Sequence, residues 1–154
     1  ERYVSIADRI CEKGWFGQKT GRGYYKYTPG ARRGEEDPEV LSIIQEERKV
    51  KGIEAKSLSS DEIRRRYFAA MVNESAKVLE EKMALRPSDI DVTKLFGYGF
   101  PRHMGGPMRY ADVYGIENIL NDLKELEKED PYFWKPAELI VKLVEEGKDF
   151  NSLN

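Results

Sequence analysis

The sequence predicts an all-α protein with a short glycine- and aromatic-rich extended segment near its N-terminus. Three observations point there. From residue 37 onward apolar positions recur at helical spacing. Each run is bracketed by capping residues or by proline. Period-two alternation is confined to the neighbourhood of Tyr24 to Tyr27. Strands and helices do not alternate, so a doubly wound sheet is excluded.

Residues 3–12 carry Tyr3, Ile6, Ala7 and Ile10 at helical spacing and end at Gly14, a residue suited to a left-handed cap. A helix this short needs a packing partner. From Trp15 to Tyr27, Gly17, Gly21 and Gly23 punctuate five aromatics, which predicts a turn-rich loop with a short strand. Residues 28–37, TPGARRGEED, hold no apolar residue except Ala31 and read as a linker. Asp37 before Pro38 caps a peripheral helix through Leu41, Ile44 and Arg48 to Gly52. Ser59 and Glu62 are spaced as a capping box for the longest helix, whose stripe is Ile63, Tyr67, Met71, Val78, Leu79 and Met83. Pro87 stops it. Ser88 with Asp91 predicts the start of a brief helix carrying Ile90, Leu95 and Phe96, followed by a Gly/Pro corner at 97–107, GYGFPRHMGGP. Pro107 opens a helix over Met108, Ala111 and Val113 that closes at Gly115. Ile116, Ile119, Leu120, Leu123 and Leu126 form the next, and Leu139, Ile140 and Leu143 the last, from Pro136 to Gly147.

The 154 residues suit one compact core. Lys and Arg number 26 against 28 Asp and Glu, a net charge of −2, so no positive excess is available to hold a phosphate polymer. Nucleic acid is therefore not an expected partner. A single cysteine, Cys11, and a single histidine, His103, provide neither a disulfide nor a Cys/His zinc cage. No apolar run reaches the roughly 20 residues of a membrane-crossing helix. Glu1 stands where a Met would start a chain, and helical spacing begins at once, which predicts a piece cut from a longer protein.

No motif for a reaction emerges. The pairs Gly21/Gly23 and Gly97/Gly99 both lack the third glycine of a dinucleotide-binding turn. Lys19 and Thr20 lack the upstream glycine of a phosphate-binding loop. Lys19, Arg22, Tyr24, Tyr25, Lys26 and Tyr27 mix bases with aromatics as single-strand binders do, but a pattern this short reads better as a glycine turn pinned to a core. His103 has no neighbouring Ser or Cys and reads as a surface residue. Asn73 and Glu74, in the middle of the longest helix, need hydrogen-bond partners if they face a core, and one of them is expected to tie the helix to free N–H groups of the 97–107 corner.

Three segments taken in order carry a family resemblance. FGQKTGRGYYKY at 16–27, MVNESAKVLEE at 71–81 with RPSDIDV at 86–92, and GYGFPRHMGGPMRYAD at 97–112 resemble the C-terminal region of multifunctional fatty-acid β-oxidation enzymes. In that family a 3-hydroxyacyl-CoA dehydrogenase follows an enoyl-CoA hydratase on one polypeptide. The resemblance implies a helical bundle like the dehydrogenase C-terminal domain. Residues 1–27 would end a first helical repeat, 28–58 would be a linker with a peripheral helix, and 59–154 would be a second repeat. The structural motif is then Gly17, Lys19, Thr20, Gly21, Gly23 and Tyr24 in the first glycine turn, Asn73 and Glu74 in the long helix, and Gly97, Gly99, Pro101, Gly105, Gly106, Pro107 and Asp112 in the corner and after it.

The resemblance also implies where the chemistry is not. The family's catalytic His/Glu pair lies in an NAD-binding Rossmann domain, and its substrate-contacting Asn opens the long helix of the first repeat. Laying the second repeat over the first by Glu74 puts Arg65 in the place of that Asn. A guanidinium only donates, whereas an amide both donates and accepts. No catalytic, cofactor-binding or metal residue is therefore expected in this chain. NAD and acyl-CoA would belong to the parent enzyme, where a histidine base takes the hydroxyl proton as hydride leaves carbon 3. This piece would brace the cleft, beside the upstream Rossmann domain and first repeat, in the cytoplasm or the peroxisomal matrix. The competing expectation is a non-enzymatic helical module that forms a homodimer through its unpaired apolar faces.

Overall fold

The computed structural model describes residues 3–154. Residues 1 and 2, where the first segment was expected to begin, lie outside the described residues. The chain divides into two compact units, Glu1–Ser57 and Leu58–Asn154.

In the first unit, α1 (Ile6–Glu12) packs on α2 (Pro38–Lys51). Their interface is Ile10, Val40 and Ile43, with Ile6, Trp15 and Ile44 around it. Ser5, at the start of α1, donates to Glu47 from its backbone N–H (3.2 Å) and its hydroxyl (2.8 Å), and these bonds hold the Glu47 carboxyl below the usual carboxylate range. The sequence stripe of α2 is out of phase by one position: Val40, Ile43 and Glu47 are buried and Leu41 is exposed. Nor is α2 peripheral, since it supplies most of this small core. Between the helices the chain makes a 3-10 turn (Gln18–Thr20) and an antiparallel pair, β1 (Tyr25–Lys26) with β2 (Glu35–Glu36), registered Tyr25 to Glu36. The stretch 28–37 thus ends in ordered structure.

The second unit is a helical bundle. Its elements are α3 (Ser60–Glu80), α4 (Pro87–Gly97), α5 (Pro107–Tyr114), α6 (Ile116–Glu127) and α7 (Glu138–Glu145), with a closing 3-10 turn at Phe150–Leu153. The long α3 packs against α5, α6 and α7, while α4 packs on α5. The core consists of Ala69, Val72 and Ala76 of α3, Met108 and Ala111 of α5, the α6 stripe Ile116, Ile119, Leu120, Leu123 and Leu126, Ile140 and Leu143 of α7, and Phe150. Burying a side chain such as Leu123 is worth roughly 1.5–3 kcal/mol.

The caps follow sequence at two of three predicted starts. Asp37 accepts from Glu39 N–H (3.0 Å), and Ser59 accepts from Glu62 N–H (3.2 Å). The third differs: α4 begins one residue after Arg86, whose N–H donates to Asp89 (3.1 Å), and Ser88 lies inside the helix. Proline at the first helical position, Pro87, explains the shift, because it needs no N–H partner there.

The largest departure concerns α3. Ile63, Tyr67 and Met83 of the expected stripe are more than half exposed, whereas the buried side is Phe68, Ala69, Val72, Asn73, Ser75 and Ala76. This helix is apolar on both faces. Small residues, Ala69 and Ala76, face inward because they let α6 and α7 approach closely, while Ile63 and Tyr67 are left outward.

Candidate functional site

In the first unit the glycine turn is a backbone device. Gly17 N–H donates to Arg22 C=O (2.8 Å), Thr20 N–H to Gly17 C=O (3.1 Å) and Gly21 N–H to Gln18 C=O (3.1 Å). The Thr20 hydroxyl accepts from Phe16 N–H (3.0 Å) and lies within 3.1 Å of the Gly17 and Arg22 carbonyls. A Cβ on Gly23 would lie 2.6 Å from the Gly17 Cα, so the two strands of the turn meet as only glycine allows. Lys19 and Tyr24 are exposed, and Tyr24 lines an open apolar groove of about 710 Å³ with Ile10, Trp15, Val40 and Ile44.

The residue that sequence reasoning passed over here is Arg22. Its guanidinium donates from Nε (2.6 Å) and Nη2 (3.1 Å) to the buried Asp37 and from Nη2 to Glu39 (2.7 Å), and lies 3.5 Å over the Trp15 ring. Asp37 is therefore both helix cap and ion-pair partner, and the guanidinium holds its carboxyl down at about 2. An Arg next to a glycine pair, 15 residues before a capping Asp, was the only signal.

In the second unit Asn73 and Glu74 part company. The Asn73 amide donates to Lys135 C=O (2.9 Å) and accepts from Ala137 N–H (2.8 Å), pinning α3 to the chain that enters α7. It does not reach the 97–107 corner, which corrects the expectation above. Glu74 is exposed and pairs with Lys77 at 2.6 Å. The N–H groups at the corner are taken instead by Asp91, which accepts from Met108 N–H (2.7 Å) and Arg109 N–H (3.0 Å) across helices. The turn at Gly106 fits around that carboxylate, since a Cβ there would lie 2.3 Å from Asp91 Oδ1. Asp112 does the same for the C-terminus, accepting from Phe150 N–H (2.9 Å) and Asn151 N–H (3.0 Å). Burial pushes both carboxyl groups up, while their backbone donors oppose the shift. Gly97 ends α4, Gly99 takes a φ of 68°, Pro101 leads into the 3-10 turn Arg102–Met104, and Gly105 and Pro107 frame Gly106 before α5. Phe100 beyond Gly99 is buried edge-on to Phe68, which stacks on Tyr110 at 4.1 Å.

Arg65, the residue in the expected substrate position, is committed elsewhere. Its Nη1 donates to Asp122 (3.2 Å) and Glu125 (2.9 Å) of α6, Nε lies 3.1 Å from Glu62, and Tyr114 donates its hydroxyl to Asp122 (3.1 Å). Arg66 beside it bridges Glu62 and Glu129. The Glu125 carboxylate raises the Arg65 guanidinium further above its ordinary range. The Asp122 and Glu125 pairs clamp α3 to α6, while the Arg65 Nε is buried beside Glu62 without a hydrogen bond of its own.

The outward face of α3 meets α4 in an open groove of about 770 Å³, lined by Tyr67, Met71, Val78, Met83, Leu85 and Tyr98 among others. Leu85 is 86% exposed and Tyr98 74%. Its charged groups, Glu74, Asp89 and Lys94, sit along the lining. Exposed apolar surfaces of this kind are characteristic of interaction sites and ligand grooves. Sequence periodicity placed four of the lining residues, Tyr67, Met71, Val78 and Met83, on the one apolar stripe of the long helix.

The Rossmann mode of NAD binding uses a strand, a glycine turn and a helix. Among the described residues the only sheet is the β1–β2 pair, so they do not include a unit of that kind. No cluster of His, Cys, Asp and Glu among the described residues could hold a metal, and no helix there is long and apolar enough to cross a membrane.

Comparison with known proteins agrees with this architecture. Residues 63–150 match the family described as the 3-hydroxyacyl-CoA dehydrogenase C-terminal domain. The chain is 42% identical over 149 residues to a peroxisomal bifunctional enzyme of Danio rerio, covering 95% of this chain and 21% of that protein. It is 39% identical to the peroxisomal bifunctional enzyme of Homo sapiens, covering 99% of this chain and 22% of that one. The chain thus spans about a fifth of the length of these relatives. The crystal structure of the dehydrogenase part of multifunctional enzyme 1 from C. elegans superposes with a TM-score of 0.65 at 28% identity, over 92% of this chain and 33% of that one. With its family match spanning α3 to Phe150 and its bundle shared with a solved dehydrogenase part, the chain belongs to the family of the 3-hydroxyacyl-CoA dehydrogenase C-terminal domain.

Proposed function

We propose that this chain serves as the helical C-terminal part of an NAD-dependent 3-hydroxyacyl-CoA dehydrogenase of fatty-acid β-oxidation and braces the catalytic cleft without supplying a reacting group. Residues 59–154 act as a second helical repeat whose ancestral substrate position is occupied by Arg65. The observation that carries this reading is the exposed α3/α4 groove, an apolar surface on a helix whose other face is already packed. A neighbouring part of a longer enzyme that covers it would gain burial worth about 25 cal/mol per Å² of apolar area. It would also be held in fixed position. Fixed position matters because misplacement on the order of 1 Å at a reacting centre costs about a hundredfold in rate. The locked Arg65 cluster supports the same division of labour, with NAD, acyl-CoA and the catalytic pair held elsewhere in the parent. A peroxisomal matrix location accords with the names of the relatives.

Two measurements test this. Incubating the chain with NAD and a 3-hydroxyacyl-CoA is expected to produce no reduced cofactor, and turnover would overturn the proposed inertness. A protein carrying the Rossmann domain and first repeat of a relative is expected to bind the chain, and Leu85→Glu, on an exposed side chain, is expected to abolish that binding without lowering the melting temperature. The same groove favours one other reading, a homodimerisation module. Dimers by sedimentation that Leu85→Glu dissociates, with no binding to the upstream parts, would replace the bracing role by that one.

A further inference from the structure

The second unit treats its arginines in two ways. Arg64 pairs with Asp61, Arg65 with Asp122 and Glu125 of α6, Arg66 with Glu62 and Glu129, and Arg86 with Asp89. Arg102 and Arg109 enter no ion pair among the described residues. Both line one groove of about 460 Å³ together with His103, Tyr110 and Val113. No carboxylate lines this groove.

The turn builds the arrangement. Met104 N–H donates to Pro101 C=O (3.0 Å) and Gly105 N–H to Arg102 C=O (3.2 Å), which fixes the 3-10 turn carrying Arg102 and His103. Gly105 takes a φ of 77°, and a Cβ there would lie 2.8 Å from Arg109 Cγ, so the Arg109 stem lies flat against that turn. The Arg102 guanidinium sits 5.5 Å over the Phe96 ring. Asp91 and Asp112 feel the Arg109 charge, but each already accepts two backbone N–H bonds at a helix or turn start.

We propose that the groove formed by Arg102, His103 and Arg109 binds the phosphate group of a small phosphorylated ligand. Two guanidinium forks offer donors in planar pairs, and an imidazole adds an N–H. A carboxylate has two oxygens and would satisfy one fork, whereas a phosphomonoester presents three strongly accepting oxygens and engages all three side chains at once. This proposal is independent of the bracing role, because its groove shares no lining residue with the α3/α4 groove.

The test is a nuclear magnetic resonance titration of the whole chain, at low ionic strength, with inorganic phosphate and separately with glycerol phosphate, a simple phosphomonoester. Saturable amide shifts confined to the turn and the start of α5 are expected. Arg102→Gln and Arg109→Gln are each expected to weaken binding by about tenfold, the loss of one charge-assisted hydrogen bond. Arg86→Gln, whose guanidinium is already paired, is expected to leave it unchanged. Tighter binding of the ester would make a phosphomonoester the ligand read by the groove, and equal binding would make it free phosphate; either supports the site. No shift with either probe, or binding by the Arg102→Gln/Arg109→Gln double variant equal to that of the parent chain, would overturn it. Melting curves of the variants distinguish lost binding from lost fold.

Discussion

Asn73→Ala provides a quantitative check on the packing of the second unit. The side chain is 2% exposed and makes two hydrogen bonds to the backbone ahead of α7, to Lys135 C=O at 2.9 Å and from Ala137 N–H at 2.8 Å. The two partners differ in what they do next. Lys135 is exposed, and its carbonyl can recruit water. Ala137 is 4% exposed, so its N–H is stranded, at about 1–3 kcal/mol. Adding about 1 kcal/mol for the second bond gives a destabilisation of roughly 2–4 kcal/mol. For a unit of this size that lowers the melting temperature by roughly 10–25 °C. Thermal melting by circular dichroism measures it, with Glu74→Ala as the internal standard. Glu74 is the adjacent residue on the exposed face, its pair with Lys77 is a surface one, and its loss costs at most about 0.5 kcal/mol. Asn73→Leu separates hydrogen bonding from volume: it fills the space but strands the same N–H, and it is expected to melt well below the parent chain. Asn73→Asp keeps the acceptor for Ala137 and loses the donor for Lys135, so it falls in between. An Asn73→Leu variant as stable as the parent, or an Asn73→Ala variant no worse than Glu74→Ala, would refute the account.

Other outcomes follow from the same geometry. Gly106→Ala, which places a Cβ 2.3 Å from Asp91 Oδ1 at a φ of 108°, is expected to cost about 2 kcal/mol or more, read by urea unfolding of the second unit. Arg65→Ala removes the cation from Asp122, which is 8% exposed; because the guanidinium is about a quarter exposed, the cost is about 1–2 kcal/mol rather than the larger value of a fully buried pair, and urea midpoints check it. The first unit is expected to lose stability in acid. Asp37 titrates at about 2 when folded against 3.8 in the unfolded chain, so the unfolded state binds the proton first and stability falls as pH drops from about 4 to 2. Asp37→Asn should flatten that part of the profile, followed by Trp15 fluorescence. Asp91 and Asp112 act in the opposite sense, because their raised folded values let the folded state bind the proton first, and they add no acid lability to the second unit.

Much of this protein was legible in its sequence because helix starts, stops and glycine turns are local events. Asp37 and Ser59 cap the helices they precede, and Pro107 opens the one it begins. The α6 stripe of Ile116, Ile119, Leu120, Leu123 and Leu126 is the buried stripe, because its other face is uniformly polar. Where both faces were apolar, as on α3, periodicity could not choose. The choice fell to which neighbours approach closest, and Ala69 and Ala76 admit them where Tyr67 and Met71 would not. Partners far apart in the chain were likewise decided by the tertiary structure: Asn73 with Ala137, Arg22 with Asp37, and Asp91 with the start of α5. A polar side chain's type states that it needs a partner, but only the packed backbone brings one within 3 Å.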